Sequence, residues 1–377
     1  MNNKYNALFE PVDLKSGQTL KNRIVLAPMT NFSSHPDGTV SDEEVNYYIR
    51  RSKGAGMVVT ACTYVTANGK GFPGEFGADN DDMIPSLKKL ATALKEQGTK
   101  AVLQIFHGGR SCPPDLVPNG DIVSASAIAA EDEAGGLGPT PRELKIDEVD
   151  SIIKAFGETT RRAIEAGFDG VEIHGANGYL LQQFFSPHSN RREDRFGGSL
   201  EKRMTFPMAI VDEVNRVVSE HAEAPFIVGY RFSPEEPTTP GITMADTLEF
   251  VDALADKPLD YLHISLQEFD SAPRRGADDK RTRLELVLDK INNRVPLIGV
   301  GSIQTADDAL KALDTGVPLI ALGRQLIIDP DWVEKIQNGK ENEIETELDL
   351  NGQERLVVPD PLWNAIVNTP GWFPGVK

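Results

Sequence analysis

The chain has 377 residues, 40% hydrophobic and 25% charged, an ordinary globular composition long enough to bury a core without disulfides. Its 39 Lys and Arg face 57 Asp and Glu, a formal charge of −18 that disfavours nucleic acid and acidic membranes as partners. Cys62 and Cys112 are the only cysteines, a usage that fits a reducing compartment and is too sparse for a four-thiolate zinc or iron–sulfur site, so no metal is expected.

The N-terminus, MNNKYNALFEPV, holds no apolar run of signal-peptide length. No stretch approaches the roughly 20 apolar residues that cross a bilayer, so a cytoplasmic protein without a membrane anchor is expected. Residues 1–22 read as an N-terminal extension, a short hairpin under the main fold. Beyond them, strand-length apolar runs alternate with amphipathic helical patterns eight times. Run one is Arg23–Met29, with a helix over Ser41–Lys53 opened by a Ser41/Glu44 capping box. Met57–Val65 precedes the helix Ile84–Gln97. Ala101–His107 precedes a long loop rich in Pro and Gly, then the helix Asp147–Ala166. Gly170–His174 precedes an extended segment and the helix Leu200–Glu220. Phe226–Phe232 pairs with Met244–Ala255, Tyr261–Leu266 with Arg283–Asn292, Val295–Gly301 with Ala306–Leu313, and Leu319–Gly323 with Asp331–Gln337. Continuously apolar strands suit a parallel sheet covered on both faces. Eight successive units predict one (β/α)₈ TIM barrel over about residues 23–340, in a single domain spanning 1–377. An open doubly wound sheet is the alternative. Residues 340–377 form a tail that the pattern does not place.

In such a barrel the chemistry sits where strands end. Runs seven and eight end in Gly301-Ser302 and Gly323-Arg324, the two loops at which barrels commonly bind phosphate. Glycine admits a close backbone approach, and arginine pairs a phosphate bidentately. An isolated Gly-Arg is more often a turn beside a solvated side chain; its place on the eighth strand favours the phosphate reading. Run four releases His174, Asn177 and Tyr179 together. His and Asn both donate hydrogen bonds to one carbonyl oxygen, and Tyr offers a phenolic proton. A lone buried histidine is usually a satisfied core residue, but three such groups at one strand end read as catalytic.

At these positions the chain resembles a known family. DGVEIHGANGYLLQQFFSPHSNRREDRFGGS at 169–199, KNRIVLAPMT at 21–30, QIFHGGR at 104–110, EKRMTFP at 201–207 and GRQLIIDPDW at 323–332 resemble the old yellow enzyme family. The resemblance covers about residues 6–340, in order. It implies a barrel holding FMN non-covalently, reduced by NADH or NADPH, that then reduces an electron-poor alkene. His174 and Asn177 would hold the substrate's carbonyl or nitro oxygen and Tyr179 would give the proton. Thr30 would hydrogen-bond the flavin and tune its potential, Ala61 would meet its carbonyl edge through the backbone, and Gln104 its pyrimidine edge. Arg203 would place positive charge near N1, Pro28 and Met29 would flank the ring, and Gly301, Ser302, Gly323 and Arg324 would hold the phosphate.

The chain mixes branches of that family. Thr30 and Asn177 stand where the thermophilic-like branch often has Cys and His, and Phe32 where it often has Tyr. Another FMN-barrel chemistry of the amine-demethylating type, a non-catalytic redox sensor and a non-flavin phosphate-sugar barrel are the competing readings. Trp363 and Trp372 in the tail offer a surface for a homodimer or for the chain's own barrel. The loops 112–142, 235–241 and 268–283 are read as shaping the pocket. Arg274, Arg275 and Arg281 offer charge for a 2′-phosphate, though exposed basic clusters are usually just solvated.

Overall fold

The computed structural model describes residues 3–131, 136–277 and 280–377. After a 3₁₀ turn (Asn3–Phe9), β1 (Val12–Asp13) and β2 (Thr19–Leu20) pair as an antiparallel hairpin. The barrel begins with β3 (Ile24–Leu26), α1 (Asp42–Ser52), β4 (Met57–Tyr64), α2 (Ile84–Glu96) and β5 (Lys100–Phe106). The long loop after β5 carries a small pair, β6 (Val123–Ser124) and β7 (Arg142–Glu143), before α3 (Ile146–Glu165). Next come β8 (Gly170–Gly175), a short α4 (Leu180–Phe185), α5 (Leu200–His221), β9 (Ile227–Phe232), α6 (Met244–Ala255) and β10 (Tyr261–Ile264). The last units are α7 (Arg283–Ile291), β11 (Leu297–Val300), α8 (Ala306–Asp314), β12 (Leu319–Leu322), α9 (Arg324–Ile328) and α10 (Trp332–Gln337). The tail adds α11 (Gln353–Leu356) and α12 (Asp360–Val367).

Strands β3, β4, β5, β8, β9, β10, β11 and β12 pair in parallel and close, β12 returning to β3. This is the (β/α)₈ barrel. Its helices start where the sequence supplies caps: Ser41 and Glu44 satisfy each other's backbone, as do Thr243 with Asp246, Thr282 with Glu285 and Thr305 with Asp308. The segment after β8, expected to be extended, instead makes one helical turn at α4. No described helix is long and apolar enough to cross a membrane.

Alternation along each strand divides the core. One set of side chains packs between sheet and helices. The other fills the barrel: Val25, Met57, Val59, Val102, Ile227, Tyr261, Ile298 and Leu319 cluster with Leu14 and Leu20 of the hairpin region, which plugs the end where strands begin. Gly229 lies opposite Tyr261 in the ladder, and a Cβ there would sit 2.1 Å from the Tyr261 ring. The tail is tied back by Arg51, buried in α1, which stacks 3.6 Å over the Tyr47 ring and donates to the Leu356 carbonyl at 2.7 Å.

Gly229→Ala should overpack the barrel and cost about 1–3 kcal/mol of stability. A lower urea midpoint would show it; an unchanged midpoint would mean that Tyr261 moves freely aside.

Candidate active site

The end of β8 sets the first wall. His174 is 4% exposed, and its Nδ1 accepts the Ala176 N–H at 3.2 Å, which places the ring proton on Nε2. Burial, then the positive charge of Arg231, pushes the imidazole down to about 3, so it is neutral at physiological pH. Asn177 holds a left-handed backbone, φ 58°, which asparagine tolerates. Its N–H donates to Ser233 Oγ at 2.8 Å and its amide to Ser265 Oγ at 3.1 Å. Tyr179 stands edge-on to His174 (5.2 Å between centroids) and to Phe106 (4.6 Å), with Phe72 beyond. Burial, with Cys62 and Glu75 nearby, pushes its phenol up, so it keeps its proton.

Beside this wall lies a cavity of 630 Å³, the size of a cofactor site, lined by Pro28, Met29, Arg231, Gly301, Ser302, Gly323 and Arg324. Arg324 donates to Ser302 Oγ at 3.2 Å and to the Trp372 carbonyl at 2.8 Å. Gly301, at φ 135°, leaves no room for a Cβ, which would meet Phe269 N at 2.6 Å. One carboxylate also enters: Glu268 accepts from Ser302 Oγ at 2.9 Å. Arg231 has a buried Nε without a partner, and among the described residues Ser265 Oγ, at 3.3 Å, is its one hydrogen-bond acceptor. An under-paired buried guanidinium asks for an acceptor from a ligand. Two arginines, a hydroxyl and an apolar Pro28/Met29 wall fit a phosphorylated group with a flat, carbonyl-bearing ring. A second pocket of 300 Å³ adjoins it through Leu266, Gln267 and Glu268 and reaches Ser233 and Ser265, the partners of Asn177.

The structure brings most, not all, of the expected residues together. Thr30 follows the Pro28/Met29 wall, its hydroxyl 3.9 Å from Cys62 Sγ. Gln104 lies inside the barrel, its Nε2 donating to Glu172 Oε1 at 2.7 Å. Ala61 sits at a bulge in β4, where its N–H donates to Tyr48 Oη at 2.7 Å and its carbonyl accepts from Thr60 and Thr63. Its N–H is therefore already spent inside the protein. Arg203 is not in the cavity wall. It lies on α5, outside the barrel, and donates to the carbonyls of Phe185 at 2.9 Å and Gly198 at 2.7 Å, with Asp246 at 3.7 Å. It latches the end of α4 to α5; the cation that faces the cavity beside Arg324 is Arg231 of β9. Strand alternation carries that signal: Tyr230 packs outward on Phe250 of α6, so Arg231 points inward.

The tail is the other element that sequence pattern did not place. Thr369, Pro370, Gly371, Trp372 and Pro374 of the same chain wall the cavity. Of the basic cluster, Arg275 is engaged with Thr239 Oγ1 and the Glu236 carbonyl, and Arg281 with Asp289. Parts of the expected pocket loops, residues 132–135 and 278–279, lie outside the described residues.

The sequence model of the NADH:flavin oxidoreductase / NADH oxidase family matches residues 7–343. The chain is 56% identical over 374 residues to a probable NADH-dependent flavin oxidoreductase of Bacillus subtilis, covering 99% of each. It is 43% identical over 359 residues to the NADH:fumarate oxidoreductase of Klebsiella pneumoniae, spanning 94% of this chain but 38% of that longer protein. Morphinone reductase in complex with tetrahydroNAD superposes with a TM-score of 0.75 at 30% identity, over 89% of this chain and 91% of that one. The old yellow enzyme homologue of Zymomonas mobilis gives 0.75 at 25% identity, over 88% and 93%. The chain therefore belongs to the NADH:flavin oxidoreductase / NADH oxidase family, the old yellow enzyme family, and is an FMN-dependent oxidoreductase that draws its electrons from NAD(P)H.

Proposed function

We propose that this protein reduces a carbon–carbon double bond conjugated to a carbonyl or nitro group. The observation that supports this most directly is the protonation pattern at the end of β8. His174 is neutral with its proton on Nε2, and Tyr179 keeps its phenolic proton. A site built of neutral donors suits a substrate that enters neutral and gains negative charge on an oxygen in the transition state. Relatives named for fumarate and acrylate reduction, and morphinone reductase among the structural neighbours, act on molecules of this kind.

FMN, when bound, supplies hydride exchange between the nicotinamide and the β-carbon of the alkene. The chain's own groups do the rest. Arg324, Ser302, Gly301 and Gly323 would hold the phosphate; Pro28 and Met29 would flank the ring; Gln104, Thr30 and Arg231 would meet its polar edge. His174 Nε2–H and the Asn177 amide hold the substrate oxygen, and their hydrogen bonds strengthen as enolate charge develops. Tyr179 gives its proton to the α-carbon and recovers one from solvent. Phe72 and Phe106 keep the face around Tyr179 apolar. A homodimer and a cytoplasmic location accord with this reading.

Tyr179→Phe should leave reduction of FMN by NADH intact and slow alkene reduction about 10²–10⁴-fold, the usual worth of a general acid. Stopped-flow measurement of the two half-reactions separates them, and an unslowed alkene step removes Tyr179 as donor.

His174, held near 3, protonates only well below neutrality. Between about pH 5 and 8 its donor strength should therefore be constant. An inflection near the ordinary histidine value that disappears in His174→Ala would contradict this.

Arg324→Ala, or truncation after Asn368, which removes the carbonyl that Arg324 grips, should weaken FMN retention. The first should raise the FMN Kd about 10–100-fold, as expected for a charge-assisted hydrogen bond. Undiminished retention on dialysis would refute the phosphate assignment for Arg324.

A further inference from the structure

Three polar side chains form a ladder across the barrel interior: Gln104 of β5, Glu172 of β8 and His263 of β10. Gln104 Nε2 donates to Glu172 Oε1 at 2.7 Å, and Glu172 Oε2 meets His263 Nδ1 at 2.9 Å. Glu172 and His263 are 0% exposed and Gln104 is 2% exposed. Burial alone would push the Glu172 carboxyl up, but His263, Arg231 and Gln104 outweigh it and hold it below its ordinary range. Burial pushes the His263 imidazole down, against the pull of the Glu172 carboxylate.

An ionised carboxylate accepts hydrogen bonds and donates none. Whatever faces Glu172 must therefore be a donor. His263 must carry its proton on Nδ1, and Gln104 must turn its NH₂ toward Glu172. The amide is planar, so its carbonyl oxygen is turned away, and no protein donor meets that oxygen among the described residues. Amide orientation, usually left to be inferred from surroundings, is here dictated by charge.

We propose that Glu172 is a positioning residue: it locks the Gln104 amide so that the site offers an acceptor, Oε1, to the N3–H of the flavin's pyrimidine edge. Arg231, an under-paired donor within electrostatic reach of Glu172, would complement a neighbouring ring carbonyl. Acceptor beside donor matches the alternation of N–H and C=O along that edge. The same lock disfavours a ring whose N3 carries no hydrogen. This rests on the reading of Gln104 as a flavin contact, and deepens it.

The test compares binding of FMN and of N3-methylated FMN to full-length protein freed of flavin, by quenching of flavin fluorescence. Wild type should prefer FMN about tenfold, the worth of one buried hydrogen bond. Gln104→Ala should abolish the preference. Glu172→Gln, whose amide meets Gln104 with either end, should reduce it well below tenfold while still binding flavin. Glu172→Asp, which keeps the charge but withdraws it from Gln104, carries the same expectation should Glu172→Gln not fold. A preference lost in Gln104→Ala but kept in the Glu172 variants overturns the positioning role and leaves the flavin contact standing. A wild type that binds both flavins equally, or a preference that survives Gln104→Ala, overturns the contact itself and the inference with it.

Discussion

A closed barrel of eight parallel strands has an interior that bulk water does not enter, so every polar group placed there must find its partner in the protein or in a ligand. The lower half meets this constraint largely by avoidance, with valine, isoleucine, leucine and methionine closed off by the hairpin region's Leu14 and Leu20 and the Tyr261 hydroxyl as the exception. The upper half accepts it. Glu172 is a fully buried carboxylate, and its charge decides the state of what surrounds it: the tautomer of His263, the orientation of Gln104, and part of the compensation for Arg231. Removing one member of such a set leaves a charge or donor stranded in a dry site, which costs more than the lost contact.

The same dryness sets the chemistry above. Burial is the largest influence on His174, His107 and Tyr179, and in each case it favours the neutral form. Arg231 links the two levels. It lies within electrostatic reach of Glu172 below and His174 beside it, and it lines the cavity that fits the cofactor. With burial as the larger cause, its positive charge helps keep His174 from protonating, and one buried guanidinium nitrogen stays without a protein acceptor among the described residues. On the proposed reading, the cofactor's polar edge and the substrate's oxygen would share one electrostatic neighbourhood.

Strand periodicity and the rule that chemistry gathers at strand ends made the barrel, the Gly301 and Gly323-Arg324 loops and the His174–Tyr179 cluster legible in the sequence. Arg203 shows where motif resemblance misleads. Its segment is distinctive, but distinctive residues also serve as latches, and Arg203 secures α4 to α5. Arg231 was readable in principle from the two-residue alternation of IVGYRF in β9. Ala61 was not, because a bulge hands its N–H to Tyr48 and local sequence does not announce bulges. The tail was opaque for a different reason. Long-range contacts place it: Arg51 to the Leu356 carbonyl, Leu348 N–H to the Pro374 carbonyl, and Arg324 to the Trp372 carbonyl. None of these has a periodic signature.

The two sides of the site differ in a way that bears on what they accept. The β8 and β10 side carries donors and hydroxyls: His174, Asn177, Ser233 and Ser265. The opposite side is aromatic, with Phe32, Phe72 and Phe106 packed edge-to-face or stacked around Tyr179. Phe32 holds φ 57°, an unfavourable conformation for a bulky residue, and Gly74, which could not carry a Cβ beside the Phe32 carbonyl, makes room for it. Strain kept beside Phe72 implies that the placement of the Phe32 ring matters to the aromatic packing that leads to Tyr179. A flat molecule with one polar end and a conjugated apolar body would satisfy both walls at once. The carboxylates that border this face are engaged within the protein, Glu235 by Arg283 at 2.7 Å and Glu268 by Ser302 Oγ at 2.9 Å, and a charged amine would also meet Arg231. That asymmetry, more than any single residue, favours alkene reduction over amine oxidation within this family.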